Sequence, residues 1–257
     1  MTTVHVTRQG PAPASYAFLH GLLGQGRNWA GIARALEPQG SLLIDLPAHG
    51  RSGTPPELTY PALADDVAAA LREATGGQAV TLVGHSMGGK VAMQLALRHP
   101  DLVARLCVVD ISPVAGDVRD FRGYVDALLA MDLQEIRTRR DADAALAGAA
   151  PDPTVRGFLL QNLQREGDGW RWAADLAALR DAMETIGGWP GSAGAVFDKP
   201  VLWVAGARSP YVRPEHGEIM RAMFPRARLV TVKDAAHWVH ADQPDVMAGL
   251  LRQLSQR

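Results

Sequence analysis

Cysteine is nearly missing from this chain of 257 residues, where Cys107 stands alone. A single thiol excludes an internal disulfide framework and any cysteine-based zinc site. Lysine is almost as scarce: Lys90, Lys199 and Lys233 are the whole set, so arginine carries the positive charge. Neither sign is in excess, since 26 basic against 27 acidic side chains leave a formal charge of -1. That balance gives no electrostatic footprint for nucleic acid or for an anionic membrane surface. No apolar run approaches the roughly 18 residues that a membrane span needs. The first eight residues lack the charged segment and apolar stretch of a secretory signal. The expectation is a reduced, cytoplasmic compartment, no membrane span and no nucleic-acid partner. Internal repeats and low-complexity linkers are also missing.

What is present is ordinary for a soluble globular chain, with 47% hydrophobic and 21% charged residues. Short apolar runs at 16–20, 41–46, 79–84, 104–110, 200–206 and 227–233 are bounded by Gly, Pro or Asp. Such runs predict strands buried on both faces. Between them, apolar residues recur at helical spacing, as in Leu63, Val67, Ala70 and Leu71, or Val91, Leu95 and Ala96. Alternation of this kind predicts an α/β fold with a mostly parallel central sheet flanked by helices. It fails between about 112 and 190, where amphipathic segments carry Phe121, Tyr124, Leu128, Phe158, Trp170 and Trp172 and no convincing strand is visible. The expected organisation is a core of 1–114 and 196–257, with a helical cap at 115–195 inserted after the strand ending at Asp110.

The sharpest local signal is Gly84-His85-Ser86-Met87-Gly88, directly after one strand and before a helix. Gly-x-Ser-x-Gly in that setting predicts a nucleophile elbow, in which a tight turn strains the serine backbone and exposes its hydroxyl. The flanking glycines are required because neighbouring backbone must pass close by. The same stretch nearly matches a phosphate loop, but Val91 stands where a Mg²⁺-binding Ser or Thr is needed. A serine hydroxyl needs a general base. His237, in the loop after the last strand, is best placed for it, in the chain order Ser…acid…His that this architecture uses. His85 reads as structural and His240 as part of the following turn or helix. An oxyanion needs preorganised backbone N–H groups. Met87 N–H and Leu22 N–H, the latter in the loop after His20, are the candidates. Asp45 and His49 read as a loop-stabilising turn, and no cluster has metal-ligand spacing.

His20-Gly21, 45–52, Gly84–Gly88 and Ala236-His237 together resemble the α/β-hydrolase superfamily over essentially the whole chain. A narrower resemblance, carried by 84–90, 109–114, 158–163 and 237–242, is to alpha/beta-hydrolase-domain-containing protein eleven and its bacterial esterase relatives. It implies a serine hydrolase acting on acyl esters and thioesters with no metal or organic cofactor. In the wider superfamily the acid follows the next-to-last strand, where this chain has Ser209. An uncharged serine cannot steady an imidazolium. Asp110, at the end of the preceding strand, is therefore the expected acid, with Asp175 and Asp234 as alternatives.

The expected reaction is hydrolysis of short to medium acyl esters through an acyl-enzyme on Ser86. The expected pocket is lined by His20, Leu23, Tyr124, Leu128, Phe158, Trp172 and Trp238, because apolar walls suit acyl chains. Acyl-CoA is a further expectation, with Arg137, Arg139 and Arg140 offered to its phosphates. A carbon–carbon bond hydrolase, a lactonase or a slow-turnover sensor would use the same residues. An Asp at position 86 would instead suit dehalogenase or epoxide hydrolase chemistry. Oligomeric state is not legible.

Overall fold

The apolar runs become the strands of one sheet in the computed structural model, which describes residues 2–256. β1 (Val6–Gln9) and β2 (Ala14–Leu19) are followed by helix α1 (Ala30–Ala35) and β3 (Gly40–Ile44). Next come α2 (Tyr60–Thr75), β4 (Val80–His85), α3 (Met87–Arg98) and β5 (Val103–Val109). The insertion then holds α4 (Arg119–Leu129), α5 (Arg139–Leu146), α6 (Pro153–Leu160), β6 (Leu163–Glu166), β7 (Gly169–Trp172), α7 (Leu176–Asp181) and α8 (Met183–Gly187). Alternation resumes with β8 (Val201–Gly206), α9 (Gly217–Met223), β9 (Ala227–Val232), α10 (Val239–Asp242) and α11 (Pro244–Ser255).

The sheet order is β1-β3-β2-β4-β5-β8-β9. Within this seven-stranded sheet only the β1–β3 pair is antiparallel; β2–β3, β2–β4, β4–β5, β5–β8 and β8–β9 are parallel. Period-two alternation divides each central strand between two cores. Ala17 and Leu19 of β2, Leu82 of β4, and Leu106 and Val108 of β5 face the α2 and α3 side. Tyr16, Phe18, Val83, Cys107 and Val109 face α1 and α11. Cys107 is a fully buried core residue, and burial pushes its thiol far up from the usual range. Helices cover both faces, as a parallel sheet requires.

Two elements depart from the sequence expectation. β1 was not anticipated because Val6–Gln9 is half exposed at the sheet edge and has no apolar run to mark it. The insertion, read as purely helical, contains the antiparallel β6–β7 hairpin. Its two-residue loop is Gly167-Asp168, with Gly167 at φ 57°, where glycine relieves the strain of a left-handed backbone. Arg165 and Trp170 pair across the hairpin, the guanidinium lying 4.1 Å from the ring centroid. Among the described residues, no helix is long and apolar enough to cross a membrane.

Candidate active site

β4 ends at His85, and α3 begins at Met87, so Ser86 alone makes the turn between them. Its backbone sits at φ 53° and ψ -121°, a conformation that L residues hold only under strain. The glycines two residues to either side are there for space. A Cβ on Gly84 would lie 2.2 Å from the Gly88 carbonyl oxygen, and one on Gly88 would lie 2.3 Å from the His20 carbonyl oxygen.

Three strand ends converge at this turn. His237, in the loop after β9, lies with Nε2 3.0 Å from Ser86 Oγ and Nδ1 2.8 Å from Asp110 Oδ2. Asp110 follows β5, is fully buried and has φ 52°. Its Oδ1 accepts the Gly206 N–H at 2.9 Å, and its Oδ2 also accepts the Ser209 hydroxyl. Ser209 therefore donates to the acid and does not replace it, a role that its lack of charge hid at the sequence level. The loop carrying His237 passes so close to β8 that a Cβ on Gly206 would lie 2.2 Å from the Ala236 carbonyl oxygen. Asp175 is occupied elsewhere: it caps α7 through Ala178 N–H at 3.1 Å and accepts the Thr54 hydroxyl at 2.8 Å. Asp234 lies in the turn after β9 with φ 59° and makes no hydrogen bond to His237 among the described residues.

Histidines hold the surrounding loops. His20 Nδ1–H donates to the Gly21 carbonyl at 2.8 Å, while Nε2 accepts Leu46 N–H at 2.9 Å. His49 Nδ1–H donates to the Pro47 carbonyl at 3.0 Å, and Nε2 accepts Leu23 N–H at 3.0 Å. Leu23 has φ 60°, and its carbonyl accepts Asn162 Nδ2 from the insertion at 2.7 Å. These bonds fix the loop on both sides of Leu22, whose own N–H has no partner among the described residues. Met87 N–H, at the first turn of α3, is likewise free of an intrahelical partner. His85 Nε2–H donates to the His237 carbonyl at 2.8 Å and so supports the base loop from below. Asp45 bridges Gly26 N–H at 2.7 Å and Arg51 N–H at 3.0 Å, the loop-stabilising turn expected of that segment.

Burial keeps these supporting rings neutral. It lowers His49 to about 4, against the weaker pull of the Pro47 carbonyl and Asp45. Burial also takes His240 to about 3 and moves His20 and His85 well below the usual imidazole range.

Beside Ser86 lies a cavity of about 40 Å³, walled by Leu22, Met87, Lys90, Phe121, Ile186 and Tyr211 among others. Tyr211 rests against His237 with ring centroids 4.2 Å apart. The expected pocket residues are distributed differently. His20, Phe158 and Trp238 line a separate cavity of about 200 Å³ with His85 and Thr154. Trp172 faces an open groove with Arg51 and Asp175. Leu23 and Leu128 are fully buried in the core, and Tyr124 packs edge-on against Phe121 at 6.1 Å. Large apolar residues in the insertion turn chiefly toward one another, and Phe121 alone of its aromatic rings reaches the Ser86 cavity. Arg137, Arg139 and Arg140 do not line that cavity either. Arg139 is held by the Leu160 and Leu163 carbonyls at 2.9 and 2.7 Å.

Comparison with known proteins shows the family to which this fold belongs. The alpha/beta hydrolase fold family matches over residues 17–146. The chain is 37% identical over 235 residues to the sn-1-specific diacylglycerol lipase ABHD11 of Mus musculus, covering 88% of this chain and 76% of the mouse protein. It is 33% identical over 236 residues to esterase YbfF of Escherichia coli, covering 91% and 90% respectively. A solved marine microorganism esterase superposes with a TM-score of 0.93 at 30% identity, covering 99% of this chain and 100% of that one.

Proposed function

The chain belongs to the alpha/beta hydrolase fold family and is a serine hydrolase of the esterase type, and from that premise we propose that Ser86 is its nucleophile, His237 its general base and Asp110 the acid. What supports the assignment is the unbroken hydrogen-bond line from Ser86 Oγ through His237 at 3.0 Å to Asp110 at 2.8 Å. Each distance lies within the range for proton transfer.

In the proposed reaction Ser86 Oγ attacks the ester carbonyl carbon while its proton passes to His237 Nε2. Asp110 accepts the Nδ1–H throughout, fixing the tautomer and steadying the imidazolium. The carbonyl oxygen, now an oxyanion, takes the free N–H groups of Leu22 and Met87, and losing one such donor costs on the order of 3 kcal/mol. Collapse of the tetrahedral species breaks the bond to the alcohol oxygen, which leaves with the proton from His237. Water then repeats the sequence on the acyl-enzyme, releasing the acid and restoring Ser86.

The cavity of about 40 Å³ beside Ser86 shares Ile111, Gly116, Asp117, Phe121 and Tyr211 with a larger one of about 340 Å³, and the two together suit short to medium acyl groups. Residues 115–195 act as the cap, supplying Phe121 and Ile186 to the wall. A fluorophosphonate should add once per chain, on Ser86, and p-nitrophenyl butanoate should turn over steadily. Labelling or hydrolysis that survives in Ser86→Ala would refute the assignment.

A further inference from the structure

Lys90 is 3% exposed and stands one helical turn beyond Ser86, its own N–H donating to the Ser86 carbonyl at 3.1 Å. Lys90 is among the residues that line the cavity beside the nucleophile, together with Gly187 and Tyr60. Two of its three ammonium protons are accounted for by the Gly187 and Gly188 carbonyls, at 2.9 and 2.7 Å, where α8 ends. The Tyr60 ring lies 5.5 Å away, and the Tyr60 hydroxyl donates to the Ile186 carbonyl at 2.6 Å. No carboxylate pairs with Lys90 among the described residues. Asp117, the acid on the same cavity wall, is turned to Arg119 through Nε at 2.8 Å and the backbone N–H at 2.9 Å. Burial lowers Lys90 to about 8, still on the charged side of neutrality.

A buried charge with no counter-ion is costly, and buried charges are ordinarily paired. Here a cation without a carboxylate partner belongs to a residue lining the cavity beside Ser86, and two carbonyl bonds leave it one N–H to give. We propose that Lys90 is a specificity-determining residue that binds a carboxylate at the far end of the acyl group, so that the preferred substrates are half-esters of short dicarboxylic acids. This rests on the assignment of Ser86 as nucleophile. The two glycine carbonyls aim the ammonium, and the incoming carboxylate completes its donor set with a charge-assisted bond.

The test compares monoethyl succinate with ethyl 4-methylpentanoate, whose isopropyl end matches a carboxylate in shape without its charge. The wild-type protein should favour monoethyl succinate in kcat/KM. In Lys90→Met the ratio of the two kcat/KM values should fall by roughly 10- to 100-fold, the worth of one hydrogen bond to a charged group. A merely structural lysine would depress both esters together. Lys90→Gln retains a donor for the glycine carbonyls without the charge, and it should show the same fall in ratio if Lys90→Met does not fold. An unchanged ratio in a folded variant, or a wild-type preference for the neutral ester, overturns the proposal. If Ser86 fails to label with fluorophosphonate and neither ester turns over, the nucleophile assignment itself has failed.

Discussion

Asparagine in place of Asp110 keeps the outline of the carboxylate but can accept at one atom only. In the native site Oδ1 takes the Gly206 N–H at 2.9 Å, while Oδ2 takes His237 Nδ1–H at 2.8 Å together with the Ser209 hydroxyl. The variant must choose between them. With its oxygen toward Gly206, its amide protons face His237 Nδ1, which must then accept. The imidazole proton moves to Nε2, the atom 3.0 Å from Ser86 Oγ, and the base can no longer take the serine proton. With its oxygen toward His237, the amide instead confronts the Gly206 N–H and leaves a buried donor unpaired, at about 1–3 kcal/mol. That difference biases the site roughly 5- to 150-fold toward the unproductive tautomer, and loss of the charge that steadies the imidazolium adds to it. The expected fall in kcat is ~10⁴, the scale found when the acid of a serine protease triad becomes an amide. At 1.36 kcal/mol per decade that is about 5.4 kcal/mol. The φ of 52° is no obstacle, since asparagine tolerates the left-handed region. Turnover of p-nitrophenyl butanoate, with thermal denaturation to check the fold, measures it. A loss below tenfold in a folded variant refutes the reasoning. Asp175→Asn, which touches a helix cap and Thr54, should cost less than tenfold in the same assay.

Acid should destabilise the protein earlier than its carboxylates alone would. The unfolded chain binds histidine protons from pH 6.5 downward, whereas folded His49 waits until about 4 and His240 until about 3. The unfolded state therefore holds more protons throughout that window, and stability falls as pH drops from 6.5, by up to ~1.4 kcal/mol per pH unit for each such group. His240→Phe, at a ring stacked 4.3 Å from Trp29, should flatten the slope measured by urea unfolding between pH 6.5 and 5; an unaltered slope counts against this account. Gly88→Ala forces a Cβ against the His20 and Leu19 carbonyl oxygens, at 2.3 and 2.7 Å, which are backbone and cannot swing away. It should lose at least about 2 kcal/mol by thermal or chemical unfolding, and a variant of native stability would show that the elbow has slack.

Much of this site is legible in the sequence because the demands are local. Gly84 and Gly88 bracket Ser86 for a steric reason that leaves few other residues possible, and the strand–turn–helix context is written in the apolar runs on either side. The expectations that departed from the structure were those set by tertiary packing. β1 is polar and half exposed, so nothing in its composition separates it from a loop. Gly167-Asp168 is a turn signal, but the charged and aromatic residues around it follow the cross-strand logic of a free-standing hairpin, which hydrophobic periodicity does not register. Tyr124, Leu128 and Trp172 are large and apolar, as pocket walls often are, yet Leu128 is spent on the core, Tyr124 on Phe121, and Trp172 on a groove away from Ser86. In the sequence Lys90 stands in the 84–90 motif and in an incomplete phosphate loop, and neither assigns it a role beside Ser86. Its burial beside Ser86 depends on where α8 ends, almost a hundred positions downstream, and spacing along the chain carries no trace of that.

His237 hangs from β9, an edge strand of the sheet, whereas Ser86 and Asp110 follow the interior strands β4 and β5. Most of β9's residues remain solvent-accessible, so the strand has few apolar contacts to hold it. Segments of that kind detach at a lower free energy than the centre of a structure. The base is thus mounted on an edge of the sheet, and the serine and acid on its centre. Under rising denaturant, catalytic turnover should vanish while the far-ultraviolet circular dichroism of the helices and inner strands is still largely intact. During synthesis the same arrangement places the histidine 151 positions after the serine, so the two meet only once β9 has docked on β8.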